Sequence, residues 1–501
     1  MPNGLSPDGV CLKRDDLARL LGVEAATLPD SRITAVTHDS REAAPGVAFV
    51  AVPGFKRDGA EFVGEAISRG AELAVAERDV PGYPVAVVPD ARAALAALAR
   101  AVCGDPSSDM EVYGVTGTNG KTTTSYALYA ILAGTGGEAS SGLLSTAETI
   151  CAGERVGAVR TTPEAAEVQG LLARMRDSGA RRVVMEVSSH GVALKRVAGV
   201  RFAGALFTNL SRDHLDLHGT MEEYYRAKRE LFYMVADGGP KLVNADDEHG
   251  RRLAREVEGV STFGLSEDAG YRIQGVRASP GGTEFALRWE DGRLDLFTPL
   301  LGGYNVMNVA GAAALALAAG VESEGVVRAV EGMPQVPGRF ERVASRGDVG
   351  FEVIVDYAHT DVGLEAALSV VREVAGGKGN SGRVICVFGA AGERDAAKRP
   401  LMGRAAAALS DYAIITTDDA YSEDPAFIAR EVASGMEGDY EVILDRREAM
   451  ARALSAARPG DVVLVAGKGH ERVQHLPDGD VPFHDASVVA ELLAESEGKA
   501  G

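Results

Sequence analysis

Gly114-Val115-Thr116-Gly117-Thr118-Asn119-Gly120-Lys121-Thr122-Thr123-Thr124 is the stretch that decides the fold of this chain. It continues an apolar run from Val112 that is typical of a buried strand, and it precedes residues 126–133, whose pattern predicts a helix. A strand, a glycine-rich turn and a helix N-terminus form an anion site, because free backbone N–H groups and the helix dipole both favour phosphate oxygens. The stretch therefore predicts a nucleotide-phosphate loop in an α/β sheet.

Within this loop, Lys121 is placed to reach the outer phosphates and the Thr122 hydroxyl to bind Mg²⁺. The spacing departs from the strict P-loop by one residue, because the first glycine is Gly114 and Val115 occupies the expected position. The alternative is a Gly/Thr-rich turn that carries a lysine by chance, but Gly-Lys-Thr at a strand-to-helix junction favours nucleotide binding. The residues expected to contact the nucleotide here are Gly117, Thr118, Asn119, Gly120, Lys121, Thr122 and Thr123.

The composition narrows the class of protein. A chain of 501 residues suggests about three domains, and 46% hydrophobic residues suffice for several cores. The net charge of −20 argues against a nucleic-acid partner. The four cysteines form no CxxC pair, no charged-then-apolar signal segment opens the chain, and the longest near-apolar run, Val309–Val321, is too short to span a membrane. We expect a cytoplasmic protein with reduced thiols.

Three blocks follow one another along the chain, at residues 1–107, 108–336 and 337–501. The second and third alternate short apolar strands with helices, which predicts an α/β fold with a doubly wound parallel sheet around the P-loop and a Rossmann-like third domain that lacks GxGxxG. Short alternating runs at 271–297 predict an antiparallel patch. Ligands in such sheets bind at the carboxyl ends of the strands, where most polar clusters of this chain fall.

Two such clusters indicate metal chemistry. Glu186 ends a predicted strand, and a carboxylate there is a usual Mg²⁺ partner beside a P-loop, although a helix-capping Glu is the alternative. The stretch 212–218 carries two His and two Asp after another strand, which favours a metal or catalytic role. Lys228, on a predicted helix, has the pattern of an ordinary solvated lysine.

The motifs together resemble the Mur ligases of bacterial cell-wall synthesis, most closely the MurE type. Besides the P-loop, the resemblance is carried by Thr37-His38-Asp39-Ser40-Arg41, Thr161-Thr162-Pro163-Glu164, Glu186-Val187-Ser188-Ser189-His190, Asn209-Leu210-Ser211-Arg212-Asp213-His214, Gly303-Tyr304-Asn305-Val306-Met307-Asn308, Gly338-Arg339-Phe340-Glu341, Asp356-Tyr357-Ala358-His359, Lys398-Arg399-Pro400-Leu401-Met402-Gly403 and Gly467-Lys468-Gly469-His470-Glu471. The P-loop with Asp-Tyr-Ala-His indicates the superfamily, and Thr-Thr-Pro-Glu with Gly-Lys-Gly-His-Glu indicates the MurE type.

The resemblance implies a monomeric, ATP- and Mg²⁺-dependent ligase. In that family ATP phosphorylates the free carboxylate of UDP-N-acetylmuramoyl-L-alanyl-D-glutamate, and the amine of a diamino acid attacks the acyl phosphate. The implied catalytic residues are Lys121, Glu186, His214, Lys228 and Arg339. One Mg²⁺ would be held by Thr122 and Glu186, and a second by His214 and a carbamylated Lys228. Asn305 and Asn308 would contact the adenine side, Arg339 would reach the phosphates when domains close, and Asp356 and His359 would line the nucleotide.

The first block would bind the UDP-sugar peptide and the third block the amino acid. The matching positions for the sugar peptide are His38, Ser40, Phe55, Lys56, Arg57, Thr161, Thr162, Ser188 and Arg196. Without the resemblance, Thr161-Thr162-Pro163 predicts an ordinary helix start with proline at the first helical position. Leu194 stands where many relatives carry glutamine.

The largest departure from the family lies at Asp418-Asp419-Ala420-Tyr421. Relatives that add meso-diaminopimelate read Asp-Asn-Pro-Arg here, and the arginine forms a fork with the distal carboxylate. Losing such a charged hydrogen bond costs about 1.5–3 kcal/mol, at least roughly tenfold in affinity. Arg394, Gly467 and Glu471 remain at matching positions, and Asp419 and Glu471 can attract a side-chain ammonium. We therefore predict L-lysine or L-ornithine over meso-diaminopimelate.

Two other functions stay open from the sequence. A folylpolyglutamate-synthase-like ligase shares the P-loop and the activation of a carboxylate, although Thr-Thr-Pro-Glu and the first block favour a nucleotide-sugar substrate. A regulator that uses nucleotide only to move its domains would not need a second metal site.

Overall fold

The structure is a computed structural model that describes residues 10–30, 32–54, 57–158, 160–279, 281–344, 349–376 and 382–500. The chain divides into two compact units. The first contains Met1–Val276, Phe285–Phe297 and Met307–Gly332, and the second contains Arg277–Glu284, Thr298–Val306 and Met333–Gly501. The predicted bounds at 107/108 and 336/337 stay predictions.

The first unit opens with a small parallel sheet of four strands in the order β1-β2-β3-β4. Its strands and helices are α1 (Arg14–Leu21), β1 (Ala35–Thr37), β2 (Val47–Val50), α2 (Val63–Ser68), β3 (Leu73–Ala76), β4 (Ala86–Val87) and α3 (Ala91–Val102). All four residues of β2 are buried, as expected for a parallel strand whose two faces are both covered. Asp90 caps α3 by accepting the N–H of Ala93 at 2.8 Å.

An eleven-stranded sheet follows, in the order β15-β14-β13-β12-β11-β10-β5-β9-β6-β7-β8. Its strands are β5 (Glu111–Thr116), β6 (Ser141–Leu144), β7 (Glu148–Cys151), β8 (Glu154–Gly157), β9 (Arg182–Glu186), β10 (Phe202–Phe207), β11 (Lys241–Asn244), β12 (Val260–Gly264), β13 (Tyr271–Ser279), β14 (Gly282–Trp289) and β15 (Gly292–Thr298). The helices of this region are α4 (Lys121–Gly136), α5 (Ala165–Asp177), α6 (Ser189–Ala193), α7 (Leu215–His218), α8 (Met221–Tyr233), α9 (Glu248–Glu256), α10 (Gly303–Ala318) and α11 (Ser323–Glu331).

The P-loop strand β5 lies at the centre of this sheet, between β9 and β10, and pairs with both in parallel. The carboxyl ends of these three strands therefore share one edge of the sheet, which brings the segments after residues 116, 186 and 207 together. One edge of the sheet ends in an antiparallel meander, β6-β7-β8, that the sequence did not predict.

The second unit contains a six-stranded sheet in the order β16-β17-β21-β18-β19-β20. Its elements are β16 (Glu341–Ala344), β17 (Glu352–Asp356), α12 (Asp361–Ala375), β18 (Val384–Phe388), α13 (Lys398–Leu409), β19 (Tyr412–Ile415), α14 (Pro425–Ala433), β20 (Tyr440–Val442), α15 (Arg446–Ala456), β21 (Val462–Ala466) and α16 (Asp485–Ala500). Val384 and Cys386 point into one core, whereas Ile385 and Val387 point into another. This alternation buries both faces of the sheet.

The predicted α/β class with parallel sheets is confirmed. Two features of the second unit were not predicted: β16 pairs antiparallel with β17, and β22 (Val473–Leu476) pairs with β23 (Gly479–Pro482) as a separate hairpin. Among the described residues, no helix is both long enough and apolar enough to cross a membrane.

Candidate active site

The P-loop has the geometry of a phosphate cradle. Two of its glycines have positive φ angles, 151° at Gly117 and 83° at Gly120. A Cβ at Gly117 would lie 1.9 Å from Thr208 Oγ1, and a Cβ at Gly120 would lie 2.2 Å from Asn308 Oδ1. Only glycine fits at either position, so the backbone stays open to a ligand. Val115 is a fully buried residue of β5, so the unusual spacing leaves the loop intact.

Lys121 and Thr122 open helix α4 immediately after this cradle. The Lys121 ammonium donates to the carbonyl oxygens of Gly117 at 3.0 Å and Thr118 at 2.8 Å, so it lies over the loop. The Thr122 hydroxyl donates to Glu186 Oε2 at 3.2 Å. A hydroxyl and a carboxylate are the hard oxygen ligands that Mg²⁺ prefers, so this donor set fits the expected ion.

Glu186 is fully buried at the end of β9. Its Oε1 accepts the N–H of Thr146 at 2.8 Å, and its Oε2 accepts the hydroxyl of the same threonine at 3.0 Å. The alternative role as a helix cap is wrong, because Ser188 caps α6 by accepting the N–H of Gly191 at 3.0 Å. The carboxylate is thus oriented by Thr146, a residue that the sequence did not single out.

Replacing Thr122 with valine is expected to raise the Mg²⁺ concentration for half-maximal activity by roughly tenfold, because the hydroxyl beside Glu186 is lost while the volume is kept. Magnesium titrations at saturating substrates measure this shift. Thr135→Val is the matched control, since the Thr135 hydroxyl donates to carbonyls of its own helix, at Ile131 and Leu132. An unchanged Mg²⁺ requirement in Thr122→Val would remove Thr122 from the metal site.

Lys228 is not the solvated helix lysine that its local pattern predicts. It is 1% exposed on α8, and its Nζ donates to the carbonyl of Gly117 at 2.6 Å. The amine also lies 4.6 Å from the ring centroid of Tyr224, whose hydroxyl is 3.1 Å from Thr118 Oγ1. Burial, followed by repulsion from Lys121, lowers the pKa of the Lys228 amine well below its usual range.

A group of aromatic rings surrounds His214 in the first unit. The rings of His214 and His190 lie 4.7 Å apart, and His218 is stacked on Tyr224 at 5.1 Å. His214 has a φ of 52°, in the left-handed region, and its Nε2 is 3.4 Å from Asp213 Oδ2. The structure therefore places His214 near Tyr224 and hence near the P-loop, and it adds His190 and His218 to the cluster.

Four of the positions expected for the sugar peptide form one hydrogen-bond network with the carboxyl end of β9. The Thr162 hydroxyl donates to the carbonyl of Glu186 at 3.0 Å and accepts the N–H of Ser188 at 3.0 Å. Arg196 donates to the carbonyl of Thr162 at 3.1 Å. Thr161 joins through its hydroxyl, whose oxygen lies 3.1 Å from the hydroxyl oxygen of Thr146, the residue that also bonds to Glu186.

The ordinary helix start predicted at Thr161-Thr162-Pro163 is wrong. Helix α5 begins two residues later, at Ala165, with Glu164 as its N-cap. The N–H of Glu164 donates to Glu167 Oε2 at 3.0 Å. The threonine hydroxyls are therefore engaged with the end of β9 and not with a helix terminus.

The other sugar-peptide positions lie on the small sheet. The Ser40 hydroxyl donates to Glu65 Oε2 at 2.8 Å, and His38 is half-buried at the end of β1. The Arg57 guanidinium lies 4.2 Å from the ring centroid of Phe62. Phe55 and Lys56 lie outside the described residues.

The two asparagines assigned to the adenine side lie on α10 and are both buried. In the first unit, Asn308 Oδ1 accepts the hydroxyl of Thr124 at 3.3 Å. In the second unit, the Asn305 amide donates to the carbonyl of Leu301 at 2.8 Å. Asn308 also lies against Gly120, which brings it to the P-loop.

Three nucleotide positions come together in the second unit. Asp356 Oδ2 accepts the N–H of Phe340 at 2.6 Å, and burial raises the pKa of Asp356 against the opposing charge of Arg339. The Arg339 guanidinium stacks 4.5 Å from the ring centroid of Tyr357. His359 Nδ1 lies 2.8 Å from the carbonyl oxygen of Tyr357. Tyr357 thus bridges two residues that the sequence assigned to the nucleotide.

The expected amino-acid site contains three carboxylates around one buried lysine. Ligand oxygens of Asp418, Asp419 and Glu471 all lie within 4.8 Å of one another. Lys468 is fully buried, and its Nζ donates to Asp419 Oδ1 at 2.8 Å and to Glu471 Oε2 at 3.0 Å. Burial opposes the charge of Lys468, yet the carboxylates raise its pKa. Gly467 has a φ of 118°, and a Cβ there would lie 2.6 Å from Asp418 Oδ2.

Tyr421 is held in a defined position beside this cluster. It has a φ of 51°, and its N–H donates to the carbonyl of His475 at 3.0 Å. The two rings stack with centroids 5.1 Å apart at 11°, and the Arg394 guanidinium lies 5.9 Å from the Tyr421 centroid. The N–H of His475 donates to Asp419 Oδ1 at 2.9 Å, and Ala420 is fully buried. Lys468 and His475 were not assigned from the sequence, although Lys468 lies inside a quoted motif.

Comparison with known proteins agrees with these motifs. The Mur ligase family, catalytic domain, matches residues 32–102; the Mur ligase middle domain matches 115–316; and the Mur ligase, glutamate ligase domain, matches 338–469.

Two relatives carry the name UDP-N-acetylmuramoyl-L-alanyl-D-glutamate–2,6-diaminopimelate ligase. The protein of Solibacter usitatus is 41% identical over 480 residues, which cover 94% of this chain and 95% of the relative. That of Gloeobacter violaceus is 39% identical over 490 residues, which cover 97% and 98%. A solved structure of a ligase with the same name is 27% identical, covers 97% of this chain and all of its own, and gives a TM-score of 0.67. The chain therefore belongs to the Mur ligase family and is an ATP-dependent ligase of the MurE type.

Proposed function

We propose that this chain joins a diamino acid to the free carboxylate of UDP-N-acetylmuramoyl-L-alanyl-D-glutamate, with ATP as the second substrate, during synthesis of the peptidoglycan precursor. The observation that carries the proposal is the coupling of the P-loop to Glu186 and to the buried Lys228 in a chain that matches its named relatives over nearly its full length. We place this reaction in the cytoplasm and assign it to a monomer.

The chemistry demands activation of the carboxylate, because its leaving group would otherwise be oxide. A carboxylate oxygen attacks the γ-phosphorus of ATP and ADP leaves, which gives an acyl phosphate. The amine then attacks the carbonyl carbon, and phosphate leaves from the tetrahedral intermediate after the nitrogen loses a proton. Two anions must approach each other in the first step, so cations have to offset their repulsion.

On the family resemblance we assign this offset to Lys121, which lies over the P-loop, and to Arg339. Mg²⁺, when bound by Thr122 and Glu186 and at a second position by His214 and carbamylated Lys228, supplies further positive charge on the phosphoryl oxygens. The nucleotide is held by the P-loop backbone with Asn305, Asn308, Asp356 and His359. The sugar peptide is oriented by the Thr161, Thr162, Ser188 and Arg196 network and by the small-sheet residues.

For the amino acid we propose L-lysine or L-ornithine in preference to meso-diaminopimelate. The support is local: Tyr421 occupies the position of the family's arginine, and Asp419 and Glu471 offer carboxylates to a side-chain ammonium. Lys468 neutralises part of that charge, so the cluster keeps an excess of carboxylates over ammonium groups. The relatives are named for 2,6-diaminopimelate, so the arginine position is where this chain is expected to differ from them.

The test is release of ADP by the purified chain as a function of added substrates. We expect ADP only when the UDP-MurNAc-dipeptide and a diamino acid are both present, because the acyl phosphate has to form and then be consumed. ADP release without this pair would support a nucleotide-driven regulator. Turnover with a folate and glutamate, and none with the sugar peptide, would support the folylpolyglutamate-type alternative.

A further inference from the structure

Arg92 connects two groups of residues that the proposed function assigns to the sugar peptide. It lies in the first turn of α3, and its Nη2 donates to the carbonyl of Pro53 at 3.1 Å, two positions before Phe55 in the sequence. Its Nη1 lies 3.7 Å from Glu164 Oε2. Glu164 directly follows the Thr161-Thr162 pair of the network at the end of β9.

Glu164 is shared by three guanidinium groups. Arg196 Nη2 lies 2.6 Å from Glu164 Oε1, Arg160 Nη1 lies 3.5 Å from the same atom, and Arg92 approaches the other oxygen. Glu164 is only 8% exposed, and the side chains of Arg92 and Arg196 are 20% and 15% exposed. One carboxylate is thus shared by two partly buried guanidinium groups and one exposed one, so its oxygens cannot accept all of their N–H groups.

The neighbouring carboxylates Asp90 and Glu77 offset part of the charge of Arg92 through space, but within the described residues neither forms a hydrogen bond or ion pair with it. Asp90 is paired with Lys195, and Glu77 accepts the N–H of Ala91 at the start of α3. Within the described residues, Arg92 has only the hydrogen bond to Pro53, and the buried Nε of Arg196 has no hydrogen-bond partner. Guanidinium N–H groups in such surroundings favour a carboxylate or phosphate oxygen.

We propose that Arg92 is a substrate-binding residue that, together with Arg196, binds an oxyanion of the nucleotide-sugar peptide. The inference rests on the proposed function for the identity of that substrate. The oxyanion within reach of the two guanidinium groups can be either the diphosphate or a peptide carboxylate. Glu164 lies between Arg92 and Arg196 and keeps both side chains in place. Nothing in the sequence pattern singled out Arg92, because it reads as a helix arginine.

The experiment measures KM and kcat for the UDP-MurNAc-dipeptide, at saturating ATP and amino acid, in Arg92→Gln. We expect KM to rise roughly 10- to 100-fold, the range for one lost charged hydrogen bond, with kcat changed less than about threefold. Calorimetric titration with UDP alone shows whether the bound oxyanion is the diphosphate or the peptide carboxylate. UDP binding that weakens in parallel identifies the diphosphate, whereas unchanged UDP binding identifies the peptide carboxylate.

The matched control is Arg100→Gln on the same helix, because Arg100 is half exposed and its one ion pair among the described residues is with Asp105. Arg92→Lys keeps the positive charge but loses the two-pronged guanidinium, so it should give a KM between those of the wild type and Arg92→Gln. If Arg92→Gln does not fold, the KM of Arg92→Lys tests the inference. A wild-type KM in a folded Arg92 variant overturns the inference. Absence of turnover in the wild-type chain would instead overturn the proposed function, so the two failures are distinguishable.

Discussion

Replacing Lys228 with alanine is expected to lower kcat at least about 100-fold, and a short carboxylic acid such as propionate is expected to restore part of the activity. The structure supports this size of effect, because the amine is buried and touches the P-loop carbonyl of Gly117. In the proposed site the neutral amine would add CO2 and release a proton, and the resulting carbamate would offer its oxygens to Mg²⁺. Alanine removes that ligand, and a diffusible carboxylate can occupy its place.

The lowered pKa of Lys228 makes formation of the carbamate depend on pH. A lowered pKa enlarges the neutral fraction of the amine at a given pH, and only the neutral amine has the electron pair that attacks CO2. Carbamate occupancy in the wild-type chain is therefore expected to rise with pH and with dissolved CO2. A carbamate resonance after exposure to ¹³CO2, present in the wild type and absent in Lys228→Ala, measures this without relying on activity.

Lys241→Ala is a suitable control for Lys228→Ala, since the Lys241 amine makes an exposed hydrogen bond to the carbonyl of Glu258. It should keep wild-type activity and give the same carbamate signal as the wild type. Full activity of Lys228→Ala in CO2-depleted buffer would eliminate the carbamate role. Loss of activity without any carbamate signal in the wild type would leave the Lys228 amine as a hydrogen-bond donor to the P-loop and not a metal ligand.

The sequence predicted the P-loop and its parallel sheet because both depend on local pattern. Gly117, Gly120 and Lys121 occupy the turn that their spacing predicts, and the apolar runs around them are the buried strands. Burial of Lys228 could not be predicted that way. It arises because α8 packs against the P-loop, and Lys228 is 111 residues away in the sequence from its partner Gly117. The periodicity of apolar residues along a helix does not indicate such a long-range contact.

The amino-acid site shows the same limit. Asp418, Asp419 and Glu471 were identified through the family motifs, but the partners that orient them, Lys468 and His475, follow from tertiary packing. His475 lies on β22, one strand of a hairpin. The sequence did not predict this hairpin, because its strands are short and mix polar with apolar residues. A glycine-rich turn can be recognised in the sequence that forms it. A contact with the backbone N–H or the ring of a distant residue cannot, because the contacted residues carry no sequence pattern that indicates it.

The exchange Tyr421→Arg is expected to shift the preference of the chain from lysine toward meso-diaminopimelate. The measured quantity is the ratio of kcat/KM for the two amino acids, and we expect it to change by roughly 10- to 100-fold, since one bidentate pair with the distal carboxylate is worth about 1.5–3 kcal/mol. The backbone does not oppose the exchange, because Tyr421 already has a φ of 51° and arginine carries a Cβ in the same place.

Tyr421→Phe separates the loss of tyrosine from the gain of arginine. It keeps the ring that stacks on His475 at 5.1 Å, so it should keep the lysine preference, whereas Tyr421→Arg gives up the stack and adds a guanidinium. Efficient, selective use of meso-diaminopimelate by the wild-type chain would refute the preference. It would mean that another cation binds the distal carboxylate, and Arg394 is a candidate because its guanidinium lies 5.9 Å from the centroid of the Tyr421 ring. In that case Arg394→Gln should lose diaminopimelate turnover far more than Tyr421→Phe does, so the two variants together identify the residue that selects the amine.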